Sequence, residues 1–232
     1  DGAASSTAEV SIPFQAVTAL ISALAYRDLQ TAEHSRRVAD LCVAAAEGLM
    51  PLSDCYVLEI AALLHDIGKV GVPDSILSKP DVLDDQEWEV MRRHKRMGAE
   101  IIQASFRSEK LTAIVEDYST PFDGKDVNGA KERYLPLGAR VLSIVDAYDS
   151  MTTDHVYRQG RSRKEAFAEL RRCAGKQFDP ELVERFIQTV ETRNRQSGPT
   201  PVIAKEAALS IGLQMERLSN ALDDQDIQAL QS

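Results

Sequence analysis

The chain has 232 residues, length for one or two ordinary domains, and needs no disulfide or structural metal to bury a core. Hydrophobic residues make up 44% and charged residues 27%, a balance that fits a globular protein and excludes a disordered one. Acids outnumber bases, 36 to 27, and the net charge of −9 excludes a general nucleic-acid binder, whose phosphate contacts need a basic surface.

Residues 1–12 are mostly small and polar and start without Met, which reads as a disordered or tag-derived leader on a segment of a longer protein. The longest uncharged run, Val10 to Tyr26, is broken by Ser11, Pro13, Gln15, Thr18 and Ser22. It falls short of the ~20 mostly apolar residues a membrane span needs. No basic segment precedes it, so it is no signal peptide.

From there the pattern is helical. Val38, Leu41, Cys42, Ala45 and Leu49 repeat at helical spacing, and so do Val57, Ile60, Ala61 and Leu64. Residues 68–81, with Pro73 and Pro80, predict an irregular stretch. Asp84 with Glu87 predicts a capped helix start, as does Ser162 with Glu165. Residues 121–133 are rich in Gly and Asp and predict a loop, with Asp123 a turn residue before Gly124. Leu135-Pro136 opens a helix carrying Leu137, Val141, Ile144, Val145 and Tyr148, and Asp179-Pro180 opens the next.

No long alternating β-branched run occurs, so the fold class expected is all-α. The domain spans 13–194, residues 195–201 form a linker, and 202–232 form an amphipathic helical tail with Ile211, Met215, Leu218 and Leu222 on one face. That tail could pack on the domain or extend a homodimer interface. Cys42, Cys55 and Cys173 form no Cys-x-x-Cys pair, which fits a reducing, cytoplasmic setting.

His65-Asp66 is the sharpest chemical feature. It closes the apolar helix Ile60-Ala61-Ala62-Leu63-Leu64. A carboxylate and an imidazole at the end of a buried face are costly unless paired or metal-bound. Such a pair suits Zn, Fe, Mn or Ni, and a carboxylate can bridge two cations. The alternative is a helix C-terminus where His meets the dipole and Asp66 turns the chain.

The run from His65 to Pro80, through Gly68, Lys69, Pro73 and Leu77, resembles the HD superfamily of metal-dependent phosphohydrolases, and within it the HD-GYP subfamily that hydrolyses cyclic di-GMP. His34-Ser35-Arg36-Arg37 is similar to the family's upstream histidine segment, and Met91-Arg92-Arg93-His94 to the next. Leu135 to Asp149 resembles the segment of the last aspartate ligand, and Phe178-Asp179-Pro180 that near the domain's end.

The resemblance implies an HD-type helical bundle, with the tail as an appended helix. It implies a metal set of His34, His65, Asp66 and Asp146, with Asp66 as bridge to a second cation and His94 in the second cation's set. Asp66 and Lys69 would serve catalysis, and Lys69 would meet the scissile phosphate.

The signature is degenerate. Aligned on Phe122-Asp123-Gly124, the two further histidines of the second cation's set become Tyr118 and Ser119, and Asp126-Val127-Asn128 replaces Gly-Tyr-Pro. Hydroxyls protonated at neutral pH are poor substitutes for imidazole nitrogen. Gln30 stands where some members place a glutamate for a third metal. His155 replaces an arginine and leaves Arg158 as the second phosphate contact.

The basic residues Arg92, Lys95 and Arg96 either steer an anion to the site or form a solvated helix face. The expectation is therefore one divalent transition metal per chain (Fe, Mn, Ni or Zn). A cyclic dinucleotide or other phosphoester is the ligand, with a protein partner in cyclic di-GMP signalling, and phosphodiesterase activity is weak or absent. The alternative is an active mononuclear phosphohydrolase on another nucleotide or phosphoester.

Overall fold

The computed structural model describes residues 12–124, 134–154 and 159–195. The C-terminal tail, His155 and Arg158 lie outside them. The described residues are all-α, as the periodicity predicts; a single bridge, Ala174 to Phe178, is the one extended pairing among them.

Helix α1 (Phe14–Arg27) buries Val17, Ile21, Leu24 and Ala25, three to four residues apart, and so turns one stripe inward. Asp28 stops it in extended conformation and starts α2 (Leu29–Ala46), accepting a hydrogen bond from the Thr31 backbone at 3.1 Å. The periodic pattern through Leu49 overruns the real end of α2. Gly48, at φ 67°, turns the chain out of the helix where side-chain-bearing residues are strained, and Pro51 opens α3.

Helix α3 (Leu52–Leu64) is the axis of the fold. From Leu58 to Leu64 every residue is buried, because α2, α6 (Glu109–Asp117) and α7 (Leu137–Thr152) pack around it. A helix apolar on all sides must be interior. Truncating Leu64, fully buried, to alanine would cost about 2–5 kcal/mol.

After His65 and Asp66 the irregular stretch resolves into a 3₁₀ turn, Ile67–Gly71, and a single-turn helix α4 (Asp74–Leu77). The turn lies against α5 (Asp85–Ser105), backbone on backbone. A Cβ on Gly68 would overlap the His94 carbonyl, so only glycine allows this approach. Both capping boxes read from the sequence are formed, Asp84–Glu87 on α5 and Ser162–Glu165 on α8 (Arg163–Cys173). The chain closes with α9 (Pro180–Arg195), whose Arg185 and Arg193 donate to backbone carbonyls of Ala45 and Asp40 on or beside α2. Residues 121–124 form the expected turn, with Gly124 at φ 67°. Among the described residues no helix is long and apolar enough to cross a membrane, and Cys42, Cys55 and Cys173 are free thiols.

Candidate metal centre

Four elements converge beside the end of α3. Helix α2 brings His34, the α3 terminus brings His65 and Asp66, α5 brings His94, and α7 brings Asp146. Each histidine is anchored through Nδ1. His65 donates it to the Ala62 carbonyl at 2.7 Å and His94 to the Met91 carbonyl at 2.6 Å. His34 donates to the Asp149 carboxylate at 2.7 Å. Carbonyls and carboxylates only accept, so these bonds fix the proton on Nδ1 and turn each Nε2 inward.

The inward nitrogens meet carboxylates. His34 Nε2 stands 3.1 Å from Asp146 Oδ1. His65 Nε2 stands 3.6 Å from Asp66 Oδ2 and 3.8 Å from Asp146 Oδ1. His94 Nε2 stands 3.3 Å from Asp66 Oδ1. The two oxygens of Asp66 thus face in two directions, one toward His65, the other toward His94. Ligand atoms of His34, His65 and Asp66 lie within 4.8 Å of one another, and these three residues could hold a metal ion.

The donor set fits a cation. His65 Nε2 is buried and has no hydrogen-bond partner. Leaving such an atom unsatisfied costs about 1–3 kcal/mol, and a cation between the two carboxylates and the imidazoles would satisfy it. Nitrogen and carboxylate donors together suit a divalent transition metal.

The electrostatics follow from the same contacts. Burial pushes the Asp66 carboxyl up, but His65, Lys69 and His94 outweigh it and hold the group well below the usual carboxylate range. Lys69, whose Nζ donates to Asp66 Oδ2 at 2.7 Å, is raised: burial lowers it, and Asp66 more than compensates. For His34, burial lowers the pKa, while hydrogen bonds to Asp146 and Asp149 raise it further, to about 9.

Two residues beyond the sequence-predicted set complete the support. Arg37 grips Asp149 through two bonds, Nε to Oδ1 and Nη2 to Oδ2, both 2.9 Å. Asp149 is thereby the orienting partner of His34, a role the sequence reading did not assign; Arg37 it did not single out at all. A signal exists: Arg37 follows His34 by three residues on α2, and Asp149 follows Asp146 by three on α7, so each pair shares a helix face.

Tyr118 caps the C-terminus of α6, is buried, and meets the His65 ring edge-on at 5.4 Å. Burial drives its phenol well above the ordinary value, so it stays a neutral hydroxyl. Of the basic cluster on α5, Arg92 and Arg96 form exposed pairs with Glu89 and Glu100, as a solvated face would.

A family model described as an HD domain matches residues 18–182. The chain belongs to the HD-domain family. Over 169 residues this HD domain is 37% identical to a cyclic di-GMP phosphodiesterase of Thermotoga maritima, covering 70% of this chain and 45% of that protein. A 3'3'-cGAMP-specific phosphodiesterase 2 of Vibrio cholerae is 33% identical over 176 residues, covering 73% and 33%. The HD domain thus spans less than half the length of these relatives. The crystal structure of a cyclic GMP-AMP specific phosphodiesterase from V. cholerae (V-cGAP3) matches with a TM-score of 0.59 over 84% of this chain and 52% of that one. Its 18% identity shows a shared fold. The family resemblance read from the motifs is borne out.

Proposed function

We propose that this HD domain is a signalling domain that holds one divalent transition metal (Fe, Mn, Ni or Zn) through His34, His65, Asp66 and Asp146. Its ligand is a cyclic dinucleotide such as cyclic di-GMP, which it hydrolyses weakly at most. The observation that carries this reading is the grouping of His34, His65 and Asp66 around the unsatisfied Nε2 of His65. The ligand class is supported by the phosphodiesterases to which the chain is similar. Free thiols support a reducing, cytoplasmic setting.

When bound, the metal would supply Lewis-acid polarisation of a phosphoryl oxygen. His34 and His65 hold their Nε2 atoms toward that position, and their Nδ1 bonds keep the rings from turning away. Asp66 supplies an anionic donor and, through Oδ2, steers the Lys69 ammonium. Lys69 is then placed to stabilise negative charge on the phosphate.

Weak turnover follows from the charge that the reaction develops. Displacement at a phosphodiester builds charge on both the attacking and the leaving oxygen, and a two-metal clamp stabilises both. Here the second half of the centre offers His94 Nε2 and Asp66 Oδ1, next to the neutral Tyr118. Loss of one preorganised electrostatic partner costs ~3–4 kcal/mol, roughly a hundred- to a thousandfold in rate.

Elemental analysis combined with a cyclic di-GMP turnover assay on the same sample tests the reading. About one metal per chain and slow linearisation are expected. No metal uptake on addition of Mn, Fe or Ni would overturn the metal assignment. Rapid metal-dependent linearisation would overturn the assignment of weak catalysis.

A further inference from the structure

Lys95 follows His94 directly on α5 and behaves unlike its basic neighbours. Arg92 and Arg96 pair with acids on their own helix, whereas no carboxylate among the described residues comes within ion-pair distance of Lys95. Its Nζ instead lies 5.5 Å from the centroid of the Tyr118 ring. A cation over an aromatic face is held by the ring quadrupole, which fixes an otherwise flexible side chain. The same ring also meets the His65 ring, at 5.4 Å between centroids. The ammonium is therefore posted at the edge of the metal centre, on a side chain that remains open to solvent. Desolvation lowers its pKa, and the carboxylates of Asp146 and Asp66 are near enough to oppose this.

The place it guards is specific. His94 Nε2 and Asp66 Oδ1 are two donors facing each other at 3.3 Å, the start of a cation site for which no third histidine, cysteine or carboxylate is grouped with them among the described residues, and a tyrosine hydroxyl such as that of Tyr118 is protonated at neutral pH. Catalytic metal sites in proteins ordinarily take three protein ligands. An ammonium held over the Tyr118 ring, within the electrostatic reach of Asp66, repels a dication and attracts a phosphate oxygen. Charge balance agrees. The two carboxylates of Asp66 and Asp146 and the two ammonium groups of Lys69 and Lys95 cancel in charge, so one divalent cation leaves the centre with a charge that two phosphodiester groups would neutralise.

We propose that Lys95 is a phosphate-binding residue of this centre, and that its ammonium, seated on Tyr118, takes the place of a second divalent cation beside His94 and Asp66. The inference rests on the single-metal reading given above and names what occupies the other half of the site.

The test uses Lys95→Met, which keeps the stem and removes the charge, and Lys95→Arg, which keeps the charge. Mn²⁺ is titrated into metal-free protein, and inorganic phosphate into protein loaded with one equivalent of Mn²⁺. Wild type should take one Mn²⁺ tightly. Lys95→Met should bind that first Mn²⁺ unchanged, bind a second at least about tenfold more tightly than wild type does, and bind phosphate about tenfold more weakly. Lys95→Arg should stay near wild type in all three. If Lys95→Met matches wild type for the second Mn²⁺ and for phosphate, or if wild type already binds two Mn²⁺ tightly, the proposal is overturned. Absence of a first equivalent in wild type is a separate result. It overturns the single-metal reading, and this inference with it, before any variant is compared.

Discussion

Asp149→Asn separates the support of the candidate metal centre from the residues proposed to ligate the metal. The carboxylate accepts from His34 Nδ1 at 2.7 Å and from Arg37 twice at 2.9 Å, with Thr153 Oγ1 donating at 3.2 Å. It is buried, and its pKa is held down at about 2: burial pushes it up, and the His34 and Arg37 bonds pull it further down. Asparagine keeps the shape, removes the charge and turns one acceptor into a donor. That donor must face either His34 Nδ1 or an Arg37 nitrogen, so at least one charge-assisted bond is lost. Such bonds are worth about 1.5–3 kcal/mol each. For a domain of this size that is a fall in melting temperature of roughly 3–12 °C, at about 2–4 °C per kcal/mol.

The functional consequence is separate. Without a carboxylate behind it, His34 loses its fixed tautomer and part of its basicity, and loss of such a partner typically weakens metal binding about 10–100-fold. The assays are a thermal melt of metal-free protein and a Mn²⁺ titration, with Arg37→Gln as a control that disturbs Asp149 from its other side. If Asp149→Asn lowers the melting temperature but leaves Mn²⁺ affinity at the wild-type value, the orienting role is refuted.

Asp66→Ala should lower affinity for the first metal more than His94→Ala does, because Asp66 faces the grouped donors while His94 faces only Asp66; equal losses in the two titrations would contradict this. Gly68→Ala should destabilise the domain by about 1–3 kcal/mol, since the new Cβ overlaps the His94 carbonyl and must push α5 away; an unchanged melting temperature would refute that. In metal-free protein His34 is raised from 6.5 to about 9, so it stabilises the fold fully below pH 6.5, and this contribution is lost as pH rises through 9. Asp149 has the opposite sign: lowered from 3.8 to about 2, it contributes above pH 3.8 and is lost as pH falls toward 2. Melts of wild type and His34→Gln across pH 5–10 check the first effect, and wild type should lose its advantage between pH 6.5 and 9.

Helix starts were legible because their signals are local: Asp84, Ser162 and Asp179 each announce a cap within three residues of sequence. The end of α3 at His65-Asp66 was legible for the same reason. The 3₁₀ turn after Asp66 was not, because its shape is set by contact with the backbone of α5, a later helix, through Gly68 and His94. The convergence of His34, His65, Asp66, His94 and Asp146 was readable only through family motifs, since helical period places a residue on a face without saying which faces meet. The contacts of Arg37 and Lys95 escaped for a related reason. Both are long side chains, and what each reaches depends on a partner from a distant segment, Asp149 for one and Tyr118 for the other.

The centre joins parts of the chain that nothing local would bring together. His34 and Asp146 are 112 residues apart in sequence, and His65 and His94 come from a third and a fourth region between them. A cation held there acts as a removable cross-link that closes long loops, and closing long loops takes conformational freedom chiefly from the unfolded chain. The reward is set by mass action: at a free metal concentration a hundred times the dissociation constant, the folded domain gains about 2.7 kcal/mol. Metal supply would therefore govern how long this domain survives proteolysis as well as what it can bind.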